Sequence, residues 1–113
     1  MAVPATQNLT ITRGDTETVN VTITTDGTTP VDITGRTYAS QIRSNADSNT
    51  IAATLTCTLV TPASGILKAV LSATDSAVLT PGYYQWDLQE NASGTISTIL
   101  SGTVTVLADV TRL

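Results

Sequence analysis

The chain has 113 residues, too few for more than one domain of ordinary size but enough for one hydrophobic core. Its formal charge is −4, with five scattered basic residues, which argues against a nucleic-acid backbone as partner. Thr makes up about a fifth of the chain, Phe and His are absent, and one cysteine, Cys57, excludes an internal disulfide.

The β-branched composition favours strands throughout. Residues 1–8 read as an extended arm, because Pro4 interrupts any early strand. They show neither a basic region nor an apolar core, so no signal peptide is expected. No apolar run is long enough to cross a bilayer. The first strand falls at Leu9–Thr12, and Arg13-Gly14-Asp15 makes a turn. Thr18 to Thr24 alternates, with Val19, Val21 and Ile23 inward. Asp26-Gly27 is a turn signal, Pro30 to Ile33 a brief edge strand or turn, and Thr37 to Arg43 the next strand. A polar loop around Asn45, Asp47 and Asn49 follows.

Thr50 to Leu59 alternates apolar residues with Thr, and Ile66 to Ser72 returns after a turn at Pro62 to Gly65. Both faces of that return strand are fairly apolar, which suggests partial cover on the second side. Thr74 to Leu79 breaks the alternation and suggests one helical turn, capped by Thr74 or Asp75, with Val78 and Leu79 packing beneath it. Pro81-Gly82 turns the chain into the strand that anchors the domain. There Tyr84, Trp86 and Leu88 face one way, and Tyr83, Gln85, Asp87 and Gln89 the other. Trp86, the only tryptophan, is expected at the centre of the core. After a turn at Asn91 to Gly94, Thr95 to Leu107 forms the last strand. Ile96, Thr98 and Leu100 are expected on one face, with a bulge or bend at Gly102. Residues 108–113 are a tail.

Roughly seven or eight short strands at this spacing predict an all-β fold, an immunoglobulin-like two-sheet antiparallel β-sandwich over residues 9–107, with a small barrel as the other candidate. Chemistry-bearing residues do not form a constellation. Arg13-Gly14-Asp15 matches an integrin-binding tripeptide but belongs at a turn. Asn8, Asn20 and Asn91 head glycosylation-type tripeptides, which arise easily in a Thr-rich chain. Cys57 lacks a histidine base and falls on the inner face. Asp47 lacks the closing glutamate of a calcium loop. Asp87 and Glu90 read as a solvated face. No catalytic, cofactor-binding or metal-binding residue is therefore assigned, and no cofactor is expected. The outer faces carry much Thr and few charges, only 12% of the chain being charged, which suits packing against neighbours in an assembly.

Several stretches, in order, carry a resemblance. They are Ile11 to Thr16, Asp32 to Tyr38 with Gln41-Ile42-Arg43, Gly65 to Leu71, Ser72 to Leu79 leading into Pro81 to Leu88, Thr98 to Val106, and Asp109 to Arg112. Together they resemble small immunoglobulin-like structural domains of tailed bacteriophages, including the N-terminal domain of upper baseplate proteins and related tail and fibre modules. The resemblance implies a non-enzymatic virion structural protein, made in the host cytoplasm, that docks as an adaptor in the tail, baseplate or fibre assembly. Its partners would be other virion structural proteins, in tail or baseplate or the major capsid protein, with many copies in a symmetric assembly and neither nucleic acid nor membrane. In baseplate proteins such a domain often heads a longer polypeptide, so an end at Leu113 favours a stand-alone adaptor or, as the alternative, a capsid decoration protein. A carbohydrate- or host-surface-binding module is the further alternative, with Tyr83 or Tyr38 as rings for sugar stacking.

Overall fold

Alternation along the chain becomes a single, strongly curved sheet. The computed structural model describes residues 5–24, 29–45 and 50–110. The turn expected at Asp26-Gly27, the Asp47 and Asn49 part of the polar loop, and the two ends at residues 1–4 and 111–113 lie outside the described residues. The strands are β1 (Ala5–Thr6), β2 (Leu9–Thr12), β3 (Glu17–Thr22), β4 (Thr37–Arg43), β5 (Ala53–Thr61), β6 (Ile66–Leu71), β7 (Gly82–Ala92) and β8 (Thr95–Leu107). A short α-helix, α1 (Ala73–Ala77), sits between β6 and β7, and a 3-10 turn at Pro62–Ser64 joins β5 to β6.

The sheet runs β8-β7-β4-β5-β6-β3, with β1 and β2 both paired to the outer side of β8. β5 is the corner. Its residues Ala53 to Leu55 pair with β4, while Thr56 to Thr61 pair with β6. β2 and β3 are consecutive in the chain yet lie at opposite edges, so the sheet rolls almost into a barrel around one core. All neighbours are antiparallel except β1 and β2, which run parallel to β8. The expectation of a purely antiparallel fold is corrected at that point. Parallel neighbours need a long crossover, and here the whole intervening domain supplies it.

Period-two patterning sends one side chain of each pair inward. Ile11, Ile42, Leu67, Leu71, Leu88, Val104 and Val106 are almost wholly buried, and Trp86 is 3% exposed among them. Ile33, from the segment expected as an edge strand, is also buried. Its N–H donates to the Pro62 carbonyl at 2.9 Å, and Pro30 makes only an isolated bridge to Thr24.

Local differences from the sequence reading have local causes. The helix is capped by Ser72, whose Oγ accepts from Asp75 N–H at 3.1 Å, and not by Thr74 or Asp75. The chain leaves β6 at Leu71, so the first residue free to cap comes earlier than expected. Leu79 packs inward, but Val78 is 72% exposed. The β7–β8 hairpin closes with Ser93 and Gly94 at φ of 54° and 95°, the positive pair of a two-residue turn. The Asn91 side chain accepts from Gly94 N–H at 2.8 Å and holds it.

The bulge in β8 falls at Ile99, between the pairs Leu88–Leu100 and Gln89–Thr98, and not at Gly102. The extra residue reverses the alternation, so Thr98 and Leu100 do not share a face. Gly102 has another role. A Cβ there would lie 2.2 Å from the Gln7 carbonyl oxygen. Gln7 N–H donates to the Ser101 carbonyl at 2.9 Å, and the Gln7 carbonyl accepts from Trp86 Nε1 at 2.7 Å. Asn8 Oδ1 accepts from Thr103 N–H at 3.1 Å. Within the expected arm, Ala5 to Asn8 is thus laid along β8 and fastened over the tryptophan.

Candidate functional site

Among the described residues, two polar clusters and two outer faces hold most of the chemistry-bearing side chains. The first cluster closes one end of the sheet. Asp15 N–H donates to the Thr12 carbonyl at 3.0 Å, which forms the turn between β2 and β3. The fully buried Ser76 of α1 accepts from Gly14 N–H at 2.9 Å and donates to the Asp15 carbonyl at 2.8 Å. Arg13 Nε donates to Asp109 Oδ1 at 2.8 Å, and Arg13 N–H donates to the Leu107 carbonyl. The Arg13-Gly14-Asp15 tripeptide is therefore a knot joining three elements, with its guanidinium turned onto a carboxylate of the same chain. That geometry suits a structural turn and withholds the arginine from a receptor.

The second cluster lies at the opposite end of β7. Glu90 continues the inward face of Tyr84, Trp86 and Leu88 and is 9% exposed. It accepts from the Tyr38 hydroxyl at 2.5 Å and from Arg36 Nη1 at 3.3 Å on each carboxylate oxygen. The reading of Glu90 as solvated is overturned. Its strand parity was visible in the sequence, but its two partners, some fifty residues away, were not. Asp87 points to the other face of β7, where burial pushes its carboxyl up and the Arg43 guanidinium partly offsets that. The two carboxylates do not converge on one point, so they do not form an acid–base pair.

The Tyr38 phenol is pushed well above the usual tyrosine range, first by burial, then by its bond to Glu90 and that residue's charge. The sign follows. An unfolded chain releases this proton near pH ~10, the folded chain holds it, so the folded state binds more protons and stability falls as pH rises through that range. Urea denaturation between neutral pH and about pH 11 checks this. Tyr38→Phe should flatten the alkaline fall, and an unchanged fall would mean that Tyr38 is not its source.

Remaining candidates resolve simply. Cys57 is half-buried beside Ala69, and burial pushes its thiol up, away from the reactive thiolate. Among the described residues no three His, Cys, Asp or Glu side chains are grouped to hold a metal. Asn8 and Asn91 spend their side-chain oxygens on backbone N–H groups. For sugar stacking, Tyr38 is committed to Glu90 and Trp86 is buried, while Tyr83 stands 82% exposed.

The outer faces are nearly free of charge. Across β4, β7 and β8 the outward residues are mostly Thr, Gln, Ser, Ala and Asn, with Arg43 and Asp87 the charged ones. Across β3, β6 and β5 the outward rows are Thr18–Val70–Thr56, Asn20–Lys68–Thr58 and Thr22–Ile66–Thr61, with Lys68 the one charge in them. Ile66 and Val70 are half-buried there, flanked by threonines.

This geometry has relatives among solved structures. The crystal structure of InlP from Listeria monocytogenes is similar over 88% of this chain and 26% of its own, with 17% identity and a TM-score of 0.51. AggA, the major subunit of aggregative adherence fimbriae type I from Escherichia coli, is similar over 95% of this chain and 91% of its own, with 13% identity and a TM-score of 0.34. The likeness to InlP is one of fold, and this chain spans about a quarter of that protein's length. No protein family and no curated protein matches the sequence. The functional residues are thus read from the chain itself. Sequence reasoning missed the Glu90 latch and the Ser76 knot, whose only local signals were an acidic residue at an inward parity and a serine within the helical turn.

Proposed function

We propose that the protein is a non-enzymatic structural docking module of a tailed-phage virion, an adaptor in the tail or baseplate present in many copies. The observation that carries this reading is the pair of nearly uncharged, Thr-rich outer faces. An isolated small domain ordinarily covers itself with interspersed charges to stay apart from its neighbours. Here Thr, Gln and Ser rows offer hydrogen-bonding, low-charge surfaces suited to repeated lateral packing, where many weak contacts add through multiplicity. The motif order quoted above supplies the phage context. We read the fold as immunoglobulin-like, with β1, β2, β8, β7 and β4 as one layer and β3, β6 and the second part of β5 as the other. The strand order and the parallel first strand support this reading. A sugar-binding role is disfavoured, because Tyr83 alone offers an open ring among the described residues.

The test is mass by light scattering, for the protein alone and then mixed with purified phage tails or shells. Saturable binding to tails supports the adaptor reading. Lattice-like saturation of shells would make it a capsid decoration protein instead. Binding to neither, with binding to host-cell polysaccharide, would overturn the structural reading.

A further inference from the structure

Among the described residues β3 pairs with β6 alone, so its other side is a sheet edge. Folded proteins usually blunt such edges with lysine, proline, a bulge or a short strand, because open N–H and C=O groups invite another strand. β3 has none of these protections. Its six pairs with β6 run without a break in register, from Glu17–Leu71 to Thr22–Ile66. The opposite edge of the sheet is different, being interrupted between β1 and β2.

Backbone parity tells which groups are open. Ile23 N–H donates to the Gly65 carbonyl at 2.8 Å, which continues the β3–β6 register. Hydrogen-bonded pairs recur every second residue, so Val21, Val19 and Glu17 also direct their backbone groups to β6. Thr18, Asn20 and Thr22 direct theirs to the open side. The residues on that edge read Thr18-Val19-Asn20-Val21-Thr22, which is the same in both directions. Antiparallel pairing with an identical strand, centred on Asn20, sets Asn opposite Asn, Val19 opposite Val21 and Thr18 opposite Thr22. Every open N–H in the segment then meets an open carbonyl.

Nothing in that register opposes like charges, since residues 18–22 carry none. Glu17 falls opposite Ile23 of the other copy. Lys68 lies one strand in from Asn20, so the two lysines would be about 14 Å apart, three strand spacings, well past a Debye length of ~8 Å. Val19 and Val21 are 8% and 7% exposed where Leu67 and Ala69 on β6 are at 0%. The facing valines of a second copy would cover that remainder.

We propose that this edge pairs with itself, two copies joining β3 to β3 about a twofold axis at Asn20 to form one continuous sheet. The inference goes beyond the virion reading and does not depend on it. Disulfide trapping tests it, because opposed residues in such a pair have Cα atoms about 5.5 Å apart, within disulfide reach. In a Cys57→Ala background, Asn20→Cys should give a covalent dimer under mild oxidation. Thr18→Cys alone should not, since its own copy lies about 14 Å away along the strand, whereas mixed with Thr22→Cys it should. Sedimentation equilibrium of the unaltered protein should show a dimer. Asn20→Pro removes an N–H that faces away from β6, so the fold should persist by circular dichroism while self-association weakens roughly a hundredfold. A monomer across the soluble concentration range would overturn the proposal. So would Thr18→Cys alone crosslinking as readily as Asn20→Cys, or an Asn20→Pro variant that dimerises unchanged.

Discussion

Trp86→Ala should cost about 3–5 kcal/mol of folding stability, the range for emptying a large aromatic site in a packed core. The ring is 3% exposed at the middle of β7, paired to Ile42 on one side and Gly102 on the other. The loss is a substantial part of the roughly 5–15 kcal/mol that holds an ordinary domain together, so the melting temperature should fall by about 10–30 °C. Circular dichroism with urea is the suitable measurement, because the substitution removes the only tryptophan. Trp86→Phe separates two contributions. It keeps most of the apolar area but leaves the Gln7 carbonyl without its indole donor, and should cost about 1–2 kcal/mol. An alanine penalty under about 1 kcal/mol would mean that the ring does not organise the core.

Gly102→Ala should destabilise by about 2–3 kcal/mol, through overpacking against backbone. In an unobstructed strand the same change would stabilise by about 0.5–1 kcal/mol. The sign therefore reports the close approach. The added methyl would sit 2.2 Å from the Gln7 oxygen and 2.7 Å from its carbonyl carbon, with Asn8 Oδ1 at 2.9 Å. Relief comes by lifting the arm, which breaks the Gln7–Ser101 and Gln7–Trp86 bonds together. Faster amide exchange at Gln7 and Thr103 in the variant would mark that path. Deleting residues 1–8 supplies the second arm of a double-mutant cycle. In the shortened chain the Gly102→Ala penalty should vanish. A penalty that persists would place the clash elsewhere.

The Gly102 effect turns on one contact between the start of the chain and its last strand, and the indole bond from Trp86 fastens the same arm. Such a contact leaves little local trace. Gly102 interrupts an apolar and threonine run, and a bulge is the ordinary meaning of that pattern. The actual bulge, at Ile99, has no composition of its own, because any residue can be the unpaired one. Glu90 is a different case. Its inward parity could be counted from Trp86, but a carboxylate at an inward position makes sense only once Arg36 and Tyr38 are known to lie opposite. β4 brings Tyr38 directly across from Glu90, and that register is a property of two strands far apart in sequence.

The all-β class, most of the strands and most of their faces were determined by the sequence alone; β1 and the faces of β8 before its bulge were not. Thr37–Arg43 and Thr95–Leu107 could be bounded to the residue, since alternation and turn residues act over two to five positions. The central burial of Trp86, a turn within Asn91 to Gly94 and the inward side of Cys57 follow from the same short-range rule. Tertiary structure alone decided which strands are neighbours. It made β5 the corner of a nearly closed sheet, ran β1 and β2 parallel to β8, drew Arg13 onto Asp109, and left β3 paired on one side only among the described residues. Pairing partners are chosen by how the whole set of apolar faces is buried at once. No single stretch carries that information.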